Sequence, residues 1–268
     1  MSEMNLNQLW RPALPLLAII CLGASAPAQT RLYSAPHEGH GPTIAEQYLQ
    51  AAADQERAAL NLPPLRRDPA LVRAATEHAR LMAEHNSISH QYPGEPELSA
   101  RAGAVGARFS VISENVAEGE SPLGIHQAWM HSPGHRRNLL DPSVDAVGIA
   151  VVVRDGQLFA VEDFERTVEH LTLPQQEGQV ASLLERYGVS VLPSSADARR
   201  TCSMDTGYSG ERKPLFVMRY SGADLSRLPN VLQARLRSGR YSHAVVGACA
   251  THDAGAFTTY NVAVLLYP

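Results

Sequence analysis

An excess of charge of either sign is what this 268-residue chain lacks: 23 basic residues face 27 acidic ones, a formal net charge of −4. That balance excludes a surface built mainly to hold nucleic acid or an anionic membrane. Charged residues are also few, 19% against 44% hydrophobic, which excludes the profile of a disordered chain. Cysteine is scarce, three in all with no C-x-x-C pair, so no redox motif is legible. There is no G-x-S-x-G and no internal repeat. What remains is a globular chain, long enough for one large domain or two small ones.

The only long apolar run sits at the start. Arg11 precedes a stretch from Ala13 to Leu22, and Ala26-Pro27-Ala28 follows as an A-x-A cleavage pattern. Together these predict a secretory signal peptide over residues 1–28, too short in its apolar part to span a membrane. Ile20 before Cys21 is bulky where lipidation needs a small residue, so a lipid anchor is not expected. Cleavage removes one acid and one base, Glu3 and Arg11, and leaves two cysteines, Cys202 and Cys249. In an exported chain these are expected to form one disulfide, two unpaired buried thiols being the alternative. Export predicts a secreted or periplasmic location, with no transmembrane segment left after cleavage.

Residues 29–42 carry Gly, Pro and two histidines without periodicity and read as a flexible mature N-terminus. Helical spacing then runs from Thr43 to Leu60 and again from Asp68-Pro69, an N-cap with proline at the first helical position, to His85. Shorter helices are predicted over 97–107 and 122–130, the latter capped by Ser121. After Asp141 the period changes to that of strands, and Arg154-Asp155-Gly156 reads as a hairpin turn between 146–153 and 157–161. The first unit therefore covers residues 43–166. A second α+β unit follows over 167–268, with helices near 175–187 and 228–237 and strands at 189–191, 215–220, 244–248 and 260–267.

Six of the eleven histidines fall between His78 and His135, within or near three blocks: Ile88-Ser89-His90, Ser113 to Gly119, and Trp129 to Leu140. Each candidate also has a plainer reading. His90 follows a polar, helix-ending stretch and suits a C-terminal cap. Glu114 suits a turn in which its carboxylate accepts from backbone N–H groups. His135 stands near the start of a short helix with Ser132 as N-cap and Pro133 next. His131 and His135 are four apart, but Pro133 and Gly134 break the helix and no Glu lies between, unlike a zinc-protease H-E-x-x-H. Ser132 with His135 imitates a nucleophile and base, yet without an oxyanion-hole motif. Trp129 is expected to anchor the core, its indole N–H finding a partner. His243 and His252 flank Cys249 with unequal spacing and are not expected to form a metal site.

In order and spacing the three blocks resemble the CAP superfamily of SCP-like domains, in particular its bacterial secreted branch. Glu56-Arg57, Leu62-Pro63-Pro64-Leu65, Asp68-Pro69-Ala70-Leu71 and Asp145 to Ala150 extend the resemblance over residues 43–166. It implies an α-β-α sandwich with a central cleft, followed here by a smaller α+β domain that carries no motif of its own. In the family two histidines and two acids face the cleft and in some members hold a divalent cation. The resemblance assigns His90 and His135 as the histidines and Glu114 as the first acid, with Asn115, His131 and Ser132 as cleft neighbours. Two departures stand out: Ser132 occupies the second acidic position, and Ser113 replaces the family's usual Gly.

Two imidazoles and a carboxylate suit zinc best, with water completing the coordination. The expectation is an exported binding module with a divalent-cation cleft, taking a small apolar ligand or an envelope protein as partner. A metal-assisted hydrolase with Glu114 as base is the alternative, and an envelope protein acting through residues 167–268 is another. The missing second acid favours binding, because it removes a spare base.

Overall fold

The computed structural model describes residues 32–33, 41–250 and 257–268. The signal peptide read at 1–28, most of 29–42 and His252 lie outside them. In chain order the elements are β1 (Leu32–Tyr33), α1 (Ile44–Ala59), β2 (Arg66–Arg67), α2 (Pro69–His85), α3 (Leu98–Ala104) and β3 (Phe109–Gly119). Then follow α4 (Pro122–His131), α5 (Pro133–Leu139), β4 (Ala146–Arg154) and β5 (Gln157–Thr167). The remainder holds α6 (Leu173–Glu185), β6 (Ser190–Leu192), α7 (Ala196–Cys202), β7 (Phe216–Gly222), α8 (Asn230–Leu236), β8 (His243–Cys249) and β9 (Tyr260–Tyr267).

The first sheet runs β1-β4-β5-β3, with β2 pairing β4 in parallel. Its centre is the hairpin the sequence predicts: Asp155 and Gly156 both take positive φ, 50° and 85°, as a tight turn requires. Strand alternation then sorts the side chains into two cores. Ile149, Val151, Ala160 and Phe164 pack with Leu49 of α1 and Trp129 of α4. Ala150, Val152, Phe159 and Val161 pack with Ala75, Ala79 and Met82 of α2. The result is the expected α-β-α sandwich.

Local chemistry sets the ends of these helices. Thr43 and Glu46 form a reciprocal capping box on α1, and Asp68 accepts from the Ala70 and Leu71 N–H groups at the start of α2. The helix ends at Asn86, in the left-handed region at φ 50°. Backbone meets backbone where α2 crosses β4: a Cβ on Gly148 would lie 2.2 Å from the Leu71 carbonyl carbon.

The second sheet runs β6-β8-β9-β7, with β8-β9 and β9-β7 antiparallel and β6 parallel to β8. Val180, Leu184, Leu232 and Leu236 of α6 and α8 cover one face, while α7 packs on the other through Ala198. Cys202 at the end of α7 and Cys249 at the end of β8 are joined as the predicted disulfide. The elements from α6 to β9 thus carry two hydrophobic clusters of their own. Among the described residues no helix is long and apolar enough to cross a membrane.

Three elements depart from the sequence reading. Leu32–Tyr33, inside the stretch read as a flexible terminus, pairs with Val153 and Arg154 of β4. β3 is an eleven-residue strand rather than a turn around Glu114. Its sequence, FSVISENVAEG, is too polar to announce a strand; pairing along β5 imposes it. α7 was also unexpected, a polar segment made helical by the Ser195 cap and by Ala198 docking on β8.

Candidate functional site

β3 is the edge of the first sheet, and the candidate residues gather around it. Glu114 projects to the α2 side. Its side chain is buried, and each oxygen has a different partner. Oε2 is hydrogen-bonded to His90 Nδ1 at 2.7 Å, while Oε1 accepts from Arg101 Nη2. Arg101 comes from α3, lies buried, and also reaches Glu95 Oε1 at 3.4 Å and the His90 carbonyl at 3.2 Å. His78 of α2 closes the cluster, with Nδ1 2.6 Å from Glu95 and Nε2 2.7 Å from the Ser89 carbonyl. It is completely buried.

The His90 side chain remains 64% exposed. It is no helix cap, because α2 has ended at Asn86; the following loop carries it to Glu114. The Glu114 hydrogen bond raises its pKa, against a smaller opposing effect of partial burial. His135, on α5, is half-buried, and desolvation followed by the charge of His90 lowers its pKa. One imidazole is therefore tuned toward the cation and its neighbour toward the neutral form.

Asn115 points to the opposite face and fixes α5 against β3. Its Nδ2 donates to the His135 carbonyl at 3.1 Å, and Asn138 Nδ2 donates to Asn115 Oδ1 and to the Glu114 carbonyl, both at 3.0 Å. Trp129 anchors the same side, its indole donating to the Val116 carbonyl at 3.2 Å. Ser132 sits at the joint of α4 and α5 without a side-chain cap bond. His131 is exposed and bonded to its own helix at the Gln127 carbonyl. Neither the Ser132 nor the His131 side chain hydrogen-bonds to His90 or Glu114. Ser113 Oγ, where the family has Gly, is buried without a hydrogen-bond partner.

Sequence reasoning missed the buried charges behind the site. Arg101 reads as a surface helix residue, and Glu162-Asp163 lies inside a strand where only burial makes it unusual. Asp163 is the register partner of Glu114 and Glu162 that of Asn115. Complete burial pushes Asp163 well above the carboxylate range, with the Glu114 charge adding to it, and raises Glu162 to about 8. The usable signal was two consecutive acids in an otherwise apolar strand.

Three protein donors for a metal ion are not assembled: among the described residues no group of three His, Cys, Asp or Glu side chains is arranged to hold one. The bond between Glu114 and His90 Nδ1 leaves His90 Nε2 as the nitrogen able to ligate. A carboxylate in that position orients a ligating imidazole without touching the ion. Beside His90 and Glu114 opens a cavity of about 440 Å³, also lined by Gln91, Glu97, Leu98 and Phe257.

The elements from α1 to β5 thus make a three-layer α-β-α sandwich with a polar cleft at the edge strand β3. Within them, residues 50–164 match the model of CAP, the cysteine-rich secretory protein family, and this part of the chain belongs to the CAP superfamily. An uncharacterized protein of Bacillus subtilis, YkwD, is 30% identical over 108 residues, 40% of this chain and 42% of that protein. The match therefore spans less than half the length of that curated relative. Two solved structures are also similar. An extracellular SCP-domain protein of Bacillus anthracis is 27% identical, covering 48% of this chain and 45% of the other at a TM-score of 0.43. An outer surface protein of Borrelia burgdorferi is 22% identical, covering 52% and 98% at a TM-score of 0.45.

Proposed function

We propose that this chain is an exported binding module whose ligand sits at the edge of β3, against His90. The observation that carries this reading is the arrangement around Glu114: a buried carboxylate held by buried Arg101 that presents an exposed imidazole. Such a group is ordered before any ligand arrives, which reduces the ordering cost of binding. With both Glu114 oxygens engaged, binding is favoured over a role for this carboxylate as a free base. Export is supported by the A-x-A pattern at 26–28 and by the Cys202–Cys249 disulfide, which fits an oxidising compartment.

The same cleft is proposed to take a divalent cation, zinc first, through His90 Nε2 and His135, with Glu114 orienting His90 and water filling the remaining positions. When bound, the ion would add a positive, ligand-polarising centre. Calorimetry on chelator-stripped residues 29–268, beside a His90→Ala/His135→Ala variant, tests this. Micromolar zinc binding that disappears in the variant is the expected result. Equal binding in both proteins, or none in either, removes the cation from the proposal.

A further inference from the structure

The second domain reaches across to the CAP cleft. Phe257, just before β9, pairs with Phe109 at the start of β3 in a parallel bridge, and the Thr258 N–H donates to the Phe109 carbonyl at 2.8 Å. The two rings meet edge to face with centroids 5.2 Å apart. Phe109 is completely buried, whereas Phe257 is 52% exposed and lines the cavity that His90 and Glu114 line. A large ring is thus held by backbone pairing and left open beside the polar cluster.

We infer that Phe257 is a specificity-determining residue of the CAP cleft, and that the cleft takes an aromatic ligand bearing an N–H or O–H donor. The inference rests on the reading that this cleft binds a ligand, and names its chemistry. Phe257 is already packed against Phe109 and offers its free surface to a third ring in the stacked or edge-on geometry aromatics prefer. Leu98 and Ile112 supply further apolar surface. On the polar side, the Glu97 carboxylate and the Gln91 amide lie beside the His90 imidazole, so a hydrogen-bond donor is accommodated. The volume lies within the range of roughly 300–1,000 Å³ typical of small-molecule sites. On this reading the second domain is part of the cleft wall, and the CAP domain alone lacks one side of its site.

The test uses the intact mature chain and a neutral aromatic amine, N-phenyl-1-naphthylamine, followed by its fluorescence. His90 is watched in parallel through its imidazole proton resonance. Phe257→Ala and Phe257→Leu are each expected to weaken probe binding about tenfold, the order of one lost aromatic contact. Phe257→Tyr retains it, and Val231→Ala, an exposed apolar truncation on α8, leaves it unchanged. The probe shifts the His90 resonance in the unaltered protein. If the His90 resonance moves but Phe257→Leu binds like the parent, the cleft stands and the role of Phe257 falls. If the unaltered protein neither binds the probe nor shows a His90 shift, the aromatic ligand class falls as well. Zinc calorimetry is independent of both outcomes.

Discussion

Nδ1 of His90 and Oε2 of Glu114 lie 2.7 Å apart, one partner open to solvent and the other buried. This contact crosses from the loop after α2 to the middle of β3, and it raises the His90 pKa. Glu114→Gln removes the charge but keeps the shape. The His90 pKa is then expected to fall below its value in the parent, read from its imidazole resonance between pH 5 and 9. A raised folded pKa stabilises below the unfolded value of 6.5 and loses that contribution as pH rises through the folded one. Because His90 is mostly exposed, the stability part is small and the titration is the proper readout. An unchanged His90 pKa in the variant would show that the hydrogen bond does not form in solution.

Arg101 carries the opposite balance, since it is buried with both its partners, Glu114 and Glu95. Replacing it with Met strands two carboxylates out of water. Breaking a buried pair this way costs about 3–5 kcal/mol, against about 0–1 for a surface pair. Urea unfolding of Arg101→Met should show the larger loss, and an Arg101→Met/Glu114→Gln double variant should recover part of it. A loss below about 1 kcal/mol would place the guanidinium in solvent.

What the sequence made legible, and what it hid, divides along the same line between motif and burial. The His90–Glu114 contact joins two short blocks that the sequence sets in fixed order, and Trp129 was readable because a lone indole in an amphipathic helix is normally a core anchor. The disulfide followed from two cysteines in a chain read as exported. Arg101 was not readable: it earns its role only when α3 folds back over Glu114, a contact thirteen residues away that no period announces. β3 was hidden for a related reason. Its strand state comes from ten registered partners on β5, not from its own polar composition. Phe257 was invisible because it belongs to a half without motifs and meets the cleft only through tertiary pairing.

Glu162 should leave a signature in the pH dependence of stability. It is completely buried, and its folded pKa is raised from 4.5 to about 8. Between those values the folded state binds the proton that the unfolded state has released. Stability therefore falls as pH rises through this window, by up to about 1.4 kcal/mol per pH unit, and levels off above it. Glu162→Gln cannot ionise and should show a shallower decline from pH 5 to 8 in chemical unfolding. Identical slopes in the two proteins would mean that Glu162 is charged and solvated in the fold.

Two glycines test how a helix is brought onto each of the two sheets. A Cβ on Gly148 of β4 would lie 2.2 Å from the Leu71 carbonyl carbon of α2, and one on Gly247 of β8 would lie 2.2 Å from the Ala198 carbonyl carbon of α7. The obstacle in both places is backbone, which a rotamer change cannot move aside. Overpacking a core costs about 1–3 kcal/mol when side chains can yield, so Gly148→Ala and Gly247→Ala should each reach about 3 kcal/mol or more. Gly178, inside α6, has nothing within 4 Å of the same position. There Ala should stabilise by roughly 0.5–1 kcal/mol, because it restricts the unfolded chain and favours the helix. Thermal unfolding of the three variants should therefore split in sign. If Gly148→Ala melted with the parent, α2 would stand farther from β4 than the sandwich requires, and the path that carries His90 to Glu114 would have to be redrawn.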